Sequence, residues 1–389
     1  MPHTTHRTVS TTLLAVGAFV LLLCLAFTVV QIACSDYGFF EKEFIKLKLS
    51  DSMGMTVGDI SKGLRALVEY MNGKVDSIDV DVMIGGVKTP MYALEIEHVH
   101  MEEVRTVWQR FETARNMGLL LTAGTAISAA AIIFQTIIRN NIVTPCLLGM
   151  NSLYLLIHTG VVFFLGSGSE FATNPVYAFA VDIIVMGTAA SFIYYSIFQK
   201  TGGNVLYVLL IGTVLTTFFS SMQNSLTRIM DPNEYDALLN SLVASFTNVN
   251  AACIIPGIVL LALLAWWLRR DLSILDVISL GREQAISLGV DYETTLRRLM
   301  VGVALCIAVA TALVGPLSFL GLITANVARQ MFTTYRHTYL IAGASLVGML
   351  VLAAGQFIVE HVMVYSVPVS VFVTIGGGIY FLYLILTQK

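Results

Sequence analysis

Long apolar runs separated by short polar islands dominate this sequence. Ten of them are long enough to cross a bilayer: roughly residues 11–33, 117–138, 147–166, 175–198, 204–222, 251–268, 298–314, 317–333, 338–357 and 366–386. A hydrocarbon core takes about 20 apolar residues per helix. Backbone polar groups in lipid must find partners within their own segment, so these runs are read as α-helices. A transmembrane barrel is excluded, because its strands would alternate in polarity where these runs are continuously apolar. The pattern predicts an all-α, polytopic membrane protein of about ten transmembrane helices.

One stretch departs from the pattern. After a cytoplasmic N-terminus and first transmembrane helix at 1–33, residues 34–115 carry most of the charge and read as a small α-rich extracytoplasmic insert. Thr56 is placed to cap the run VGDISKGLRALVEYM, with Ile60, Leu64, Leu67 and Met71 on one face and Gly73 past its end. Residues 78–82 alternate like a strand, Gly85 and Gly86 make a turn, and a second helix from about Ala93 to Asn116 continues into the second span. From 117 to 389 the chain is almost wholly membrane-embedded.

Composition agrees: 56% hydrophobic, 12% charged and a mean hydropathy of +0.79 exclude an ordinary soluble domain. The net charge of −3 matters less than where the cations fall. With the N-terminus inside, the short cytoplasmic segments hold Arg7, Arg139, Lys200, Arg269, Arg270, Arg282, Arg297, Arg298, Arg329, Arg336 and Lys389, and the short outer loops hold only Arg228. Both termini are therefore expected in the cytoplasm. Cys24, Cys34, Cys146, Cys253 and Cys306 show no CxxC spacing and read as small core residues. The first span is read as a retained anchor, since no clear cleavage site follows it.

Several helices are interrupted. Thr144, Pro145 and Gly149 break the entry to the third span, Gly315 and Pro316 separate two spans, and residues 235–249 are too polar to cross. Such breaks occur where neighbours or a water-filled cavity satisfy the backbone. Residues 235–249 are read as part of a pathway; Gly376, Gly377 and Gly378 are read as close helix packing.

The polar island LGREQAISLG, residues 280–289, is a Gly-punctuated amphipathic knob between two apolar runs. Leu280, Ala285, Ile286 and Leu288 give it an apolar face, and Arg282, Glu283 and Gln284 a wet one. Two readings fit: a contact for another protein, or a helix lying on lipid headgroups.

Other constellations are weaker. His98 and Glu102 share a helix face, as do Glu97 and His100, which makes His98, His100 and Glu102 weak candidates for a divalent cation in a membrane-anchored metal sensor. A solvated acidic face explains them as well. Asp182 is an acid inside a span; it fits a proton relay in an ion-coupled secondary transporter, or a neutral hydrogen-bonded side chain. His158 is read as hydrogen-bonded between helices. No catalytic triad, paired catalytic carboxylates, nucleic-acid patch or GxxxxGK[ST] loop is present, so any ATPase must come from another chain.

Three stretches together carry a resemblance: FQTIIRNNIVTPCLLGMNSLYLLIHT from Phe134, LGREQAISLG, and GPLSFLGLITANVARQMFTTYRH from Gly315 with PVSVFVTIGGGIYFLYLIL from Pro368. They resemble, in order, the iron-siderophore and vitamin B12 class of ABC importer permeases (FecCD-type). The likeness implies that residues 117–389 are an importer transmembrane domain. Where many relatives carry Pro-His this chain has Ala325 and Asn326; with RIMDPNEY from Arg228, this resembles the subgroup for catecholate siderophores. The insert, through EFIKLKLS and EIEHVHMEEV, resembles a different group of bacterial membrane proteins with one outer domain.

The resemblance implies the rest. The chain would be a non-enzymatic subunit in the bacterial inner membrane, paired with an identical or homologous second permease. A dimer of ABC ATPases would hold ATP and Mg, so this chain itself needs no cofactor, and an extracytoplasmic binding protein would deliver the ferric siderophore. Leu280, Gly281, Arg282, Ala285, Leu288 and Gly289 would couple to the ATPase. Asn240, Ser241, Ser245 and Asn248 would belong to the outer gate. Arg228 would dock a carboxylate of the binding protein, or be a solvated charge.

Overall fold

A computed structural model describes residues 37–73, 75–92, 94–201, 204–242, 253–332, 334–361 and 368–387. The chain divides into two compact units, up to Gly118 and from Leu119.

The first unit holds α1 (Tyr37–Lys46), α2 (Leu49–Met53), α3 (Val57–Met71), a hairpin of β1 (Asp81–Ile84) and β2 (Val87–Pro90), and the beginning of α4 (Glu95–Ile138). Met55, Ile60 and Val82 form its core, with Phe44, Leu49 and Met91 packed around them. Thr56 caps α3 as its position predicts: its Oγ1 accepts from Asp59 N at 3.1 Å and donates to Asp59 Oδ2 at 2.6 Å. Such a cap contributes about 1 kcal/mol. Leu64 and Leu67 are only half-buried, while Gly63 and Tyr70 are buried. The buried face is turned because Met91 packs on Gly63, where any Cβ would stand 1.9 Å from its sulfur. The strand begins later than the alternation implies and gains a partner. Ser77 Oγ accepts from Asp79 N at 3.2 Å, and this local turn competes with the ladder until Asp81.

The second unit is helical. It contains the remainder of α4, a 3-10 turn at Pro145–Leu148, α5 (Met150–Leu165), α6 (Glu170–Thr173), α7 (Pro175–Thr201), α8 (Val205–Ile229), α9 (Pro232–Leu242), α10 (Ile254–Ile278), α11 (Arg282–Ser287), α12 (Tyr292–Val314), α13 (Leu320–Met331), α14 (His337–His361) and α15 (Val369–Thr387). Among the described residues, 6 helices are long and apolar enough to cross a membrane. The 25-residue α10 carries Arg269, Arg270 and Asp271 in its second half; α5 and α13 are shorter, at 16 and 12 residues. The expected first span, 11–33, lies outside the described residues.

Helix α12 packs between α7 and α10, and its run from Val303 to Ala310 is nearly all buried. Helix α5 packs on α8, and α13 on α14 and α15. Without a hydrophobic drive between helices in lipid, close approach at small residues does this work. A Cβ on Gly124 would come within 3.0 Å of the Gly348 backbone, and one on Gly302 within 2.3 Å of Leu268. The expected breaks are present. Gly149 has φ +93 between the 3-10 turn and α5, and α12 stops at Gly315 before Phe319, at φ +61, restarts the chain as α13.

Candidate functional site

The knob is built by two glycines. Helix α10 ends at Ile278, and Gly281 turns the chain with φ +113 and ψ 167, a conformation that L side chains avoid. Six residues of α11 follow, then Gly289 reverses the chain again at φ +84. Ala285 N donates to Gly281 O and Val290 N to Ala285 O, both at 3.0 Å. Asp291 then caps α12 by accepting from Thr294 N at 3.3 Å, and its hydrogen bonds with Thr294 hold its carboxyl below the ordinary carboxylate range. Arg282 Nε and Nη2 donate to Glu293 Oε1 at 3.2 and 3.1 Å, closing the knob from outside. That pair is exposed on both sides and worth at most about 1 kcal/mol.

The apolar face divides in a way the sequence pattern does not show. Ala285 is wholly buried and pins α11 to the domain, whereas Leu280, Ile286 and Leu288 are 52, 49 and 64% exposed. Three large apolar side chains therefore stand outward on a rigid, twice-hinged hook. The end of α4 braces it: a Cβ on Gly281 would lie 3.0 Å from Arg139 Nη1 and from Gln284 Oε1. Arg139 itself takes φ +56, and the turn beyond it is locked, since Asn141 O accepts from Gln135 Nε2 at 2.7 Å and from Asn326 Nδ2 at 2.8 Å. Asn326 ties α13 to that turn and also donates to Leu322 O at 2.9 Å.

The polar segment after Asp231 is helical from Pro232, three residues earlier than read from the pattern. Glu234 Oε2 accepts from Ser167 N, and Leu238 packs with Val162 and Met230, so α9 is held over the end of α5. Asn240 and Ser241 lie on its last turn; their side chains, and Ser245 and Asn248 altogether, fall outside the described residues.

Arg228 is exposed in the last turn of α8. The sequence reading missed what lies below it. One side of α8 is packed: Val208, Gly212 and Phe219 are buried, Ser220 Oγ donates to Ser152 Oγ at 3.1 Å, and Leu148 fills the space over Gly212. The other side is open. At about 100° per residue, Thr213, Thr217, Ser221, Asn224 and Arg228 share one exposed face, beside an exposed apolar row of Val214, Phe218 and Met222. The near-fourfold spacing of polar residues inside an apolar run is the signal that reveals this face.

Asp182 has a partner, contrary to the bare sequence: His158 Nδ1 lies 3.3 Å from its Oδ2. The Tyr154 ring stacks on His158 with centroids 5.8 Å apart. His98 Nε2 donates to Tyr92 O at 2.9 Å and lies 3.6 Å from Asp79 Oδ1. Among the described residues no group of three His, Cys, Asp or Glu side chains could hold a metal ion. Gly377 packs tightly, its Cβ position 2.3 Å from Phe319 Cβ, whereas Gly376 and Gly378 face open space.

A sequence model of the FecCD transport family matches residues 80–387. The match reaches back into the hairpin, further than the motifs in 117–389 carry the resemblance. The petrobactin import system permease protein YclO of Bacillus subtilis (strain 168) is 38% identical over 275 residues, covering 71% of this chain and 87% of its own length. The petrobactin import system permease protein FatC of Bacillus anthracis is 32% identical over 273 residues, 69% and 76% of the two lengths. Among solved structures, a metal-chelate type ABC transporter in an inward-facing conformation aligns with a TM-score of 0.57 at 21% identity, covering 84% of this chain and 98% of that one. The last is a likeness of fold.

Proposed function

Because this chain belongs to the FecCD transport family, we propose that it is the permease through which an ATP-driven importer carries ferric siderophores into the cell. It is a multi-pass membrane subunit of an ABC transporter, not an enzyme, and ATP is hydrolysed on a separate chain. Two relatives bear the name of petrobactin import systems, which supports a siderophore as cargo. Ala325, Asn326 and the RIMDPNEY segment point to the catecholate type.

The knob carries the reading. A rigid hook with Leu280, Ile286 and Leu288 exposed, and with Arg282, Glu283 and Gln284 exposed beside them, suits insertion into a groove on a protein partner. ATP and Mg would bind on two ATPase subunits, whose closure moves the hook; α10 and α12, joined by it, run directly into the domain core. The second permease, identical or homologous, would face the open side of α8, and the cargo would pass between them. Helix α9 would gate the outer mouth, beneath an extracytoplasmic binding protein. The distribution of Lys and Arg supports both termini in the cytoplasm of a bacterium, with the protein in its inner membrane.

The test is uptake of iron-55 as ferric petrobactin into proteoliposomes holding the permease, its ATPase and its binding protein. Uptake that requires internal ATP and survives a protonophore is expected. Uptake without ATP that collapses with the proton gradient would instead support an ion-coupled transporter.

A further inference from the structure

We propose that Arg228 selects the charge of the cargo: it stands at the end of a polar face on α8 and draws in ferric chelates of net negative charge. The inference rests on the reading that the open side of α8 lines the pathway. Arg228 lies on the same arc as Thr213, Thr217, Ser221 and Asn224, all exposed, and is the only charged side chain in α8. The hydroxyls below it offer no charge of their own. Thr217 Oγ1 donates to Thr213 O at 3.0 Å and Thr213 Oγ1 to Leu210 O at 2.8 Å, so both donors are turned back on the helix. Attraction along this face therefore falls to the guanidinium.

Two acids that follow Arg228 in sequence have other partners. Asp231 Oδ1 accepts from Asn233 N at 2.9 Å and Glu234 Oε2 from Ser167 N, both at the start of α9. A cation at a helix C-terminus also complements the helix dipole, but that is worth only about 0.3–1 kcal/mol when exposed and does not require the residue to share the polar arc. A cation flanking a low-dielectric path raises the local concentration of anions and excludes cations. Three catecholate dianions leave a ferric ion with a net charge of −3, whereas three hydroxamate monoanions leave it neutral. The first is the class this face suits.

The experiment compares Arg228→Gln and Arg228→Lys with wild type, in the full complex in proteoliposomes, using a ferric tris-catecholate and a ferric tris-hydroxamate as probes. Wild type is expected to prefer the tris-catecholate. Arg228→Gln should lower its maximal uptake rate roughly tenfold, about the loss of one charge-assisted contact, and Arg228→Lys should restore most of it. The concentration of binding protein giving half-maximal uptake should stay the same in all three. A rise in that concentration with an unchanged maximal rate would assign Arg228 to docking and overturn the proposal. So would equal rates for wild type and Arg228→Gln. If wild type carries neither of these probes nor ferric petrobactin, the siderophore reading itself falls.

Discussion

His158 and Asp182 meet between α5 and α7 with Nδ1 and Oδ2 3.3 Å apart, deep in two apolar helices. The Asp182 side chain is 5% exposed, and it has a hydrogen-bond partner on the neighbouring helix. Interhelical hydrogen bonds in membranes contribute on average only about 0.6 kcal/mol. Leaving a buried polar group without its partner costs more, about 1–3 kcal/mol. Asp182→Asn, which keeps an acceptor for His158, should therefore change stability by less than about 1 kcal/mol and leave ATP-driven uptake intact. His158→Ala should cost roughly 1–3 kcal/mol. Unfolding of the purified permease measures both; loss of uptake in Asp182→Asn at normal stability would revive a proton relay.

Gly281→Val should uncouple the transporter. A β-branched residue at φ +113 is strained by roughly 1–3 kcal/mol, and its Cβ would displace Arg139 and Gln284. Gly289→Val meets only the backbone penalty, because open space surrounds it. The expected order of uptake is wild type, then Gly289→Val, then Gly281→Val, with equal amounts of each in the membrane. An unimpaired Gly281→Val would show that the hook does not transmit force.

Packing at the last helix gives a third expectation. Gly377→Val should destabilise the permease by about 1–3 kcal/mol through overpacking against Phe319, which is fixed at φ +61 and cannot easily yield. Gly376→Ala and Gly378→Ala should be nearly neutral. Thermal melts that rank the three alike would contradict the geometry.

The first unit should respond to pH at both extremes. The Thr56 hydroxyl holds the Asp59 carboxyl below its ordinary value of 3.8, and Lys88 does the same for Asp81. Groups lowered in the folded state contribute stability above their unfolded pKa and lose it as pH falls through the folded one. The Lys88 ammonium is raised above 10.5, so its contribution is present below that value and disappears as pH rises past it. Protection of the α3 and hairpin amides in the full chain, taken as the exchange rate relative to the intrinsic rate at each pH, should be greatest between these limits and fall below about pH 4. Asp59→Asn should flatten the acid side; an unchanged profile would mean that these contacts do not form in solution.

Much of this was legible beforehand because lipid leaves few alternatives: continuous apolar runs can only be helices, and Gly149, Gly281 and Gly315 mark where they break. The cap at Thr56 was legible because its chemistry is local. What could not be read was which neighbour each side chain meets. Asp182 looked solitary because His158 is 24 residues away and on another helix. Ala285 looked like part of an outward face, since periodicity groups residues by side but does not say which ones the domain covers. The polar arc of α8 was hidden by the high hydropathy of the run containing it.

On this reading the hook grips a nucleotide-hydrolysing partner. A photo-crosslinking residue placed at Ile286, exposed beside the buried Ala285, reads this directly in intact cells. One dominant adduct is expected, with an ABC ATPase, and it should be lost when the same probe sits at Ala285. Adducts with lipid alone, or with no ATPase under any condition, would contradict it.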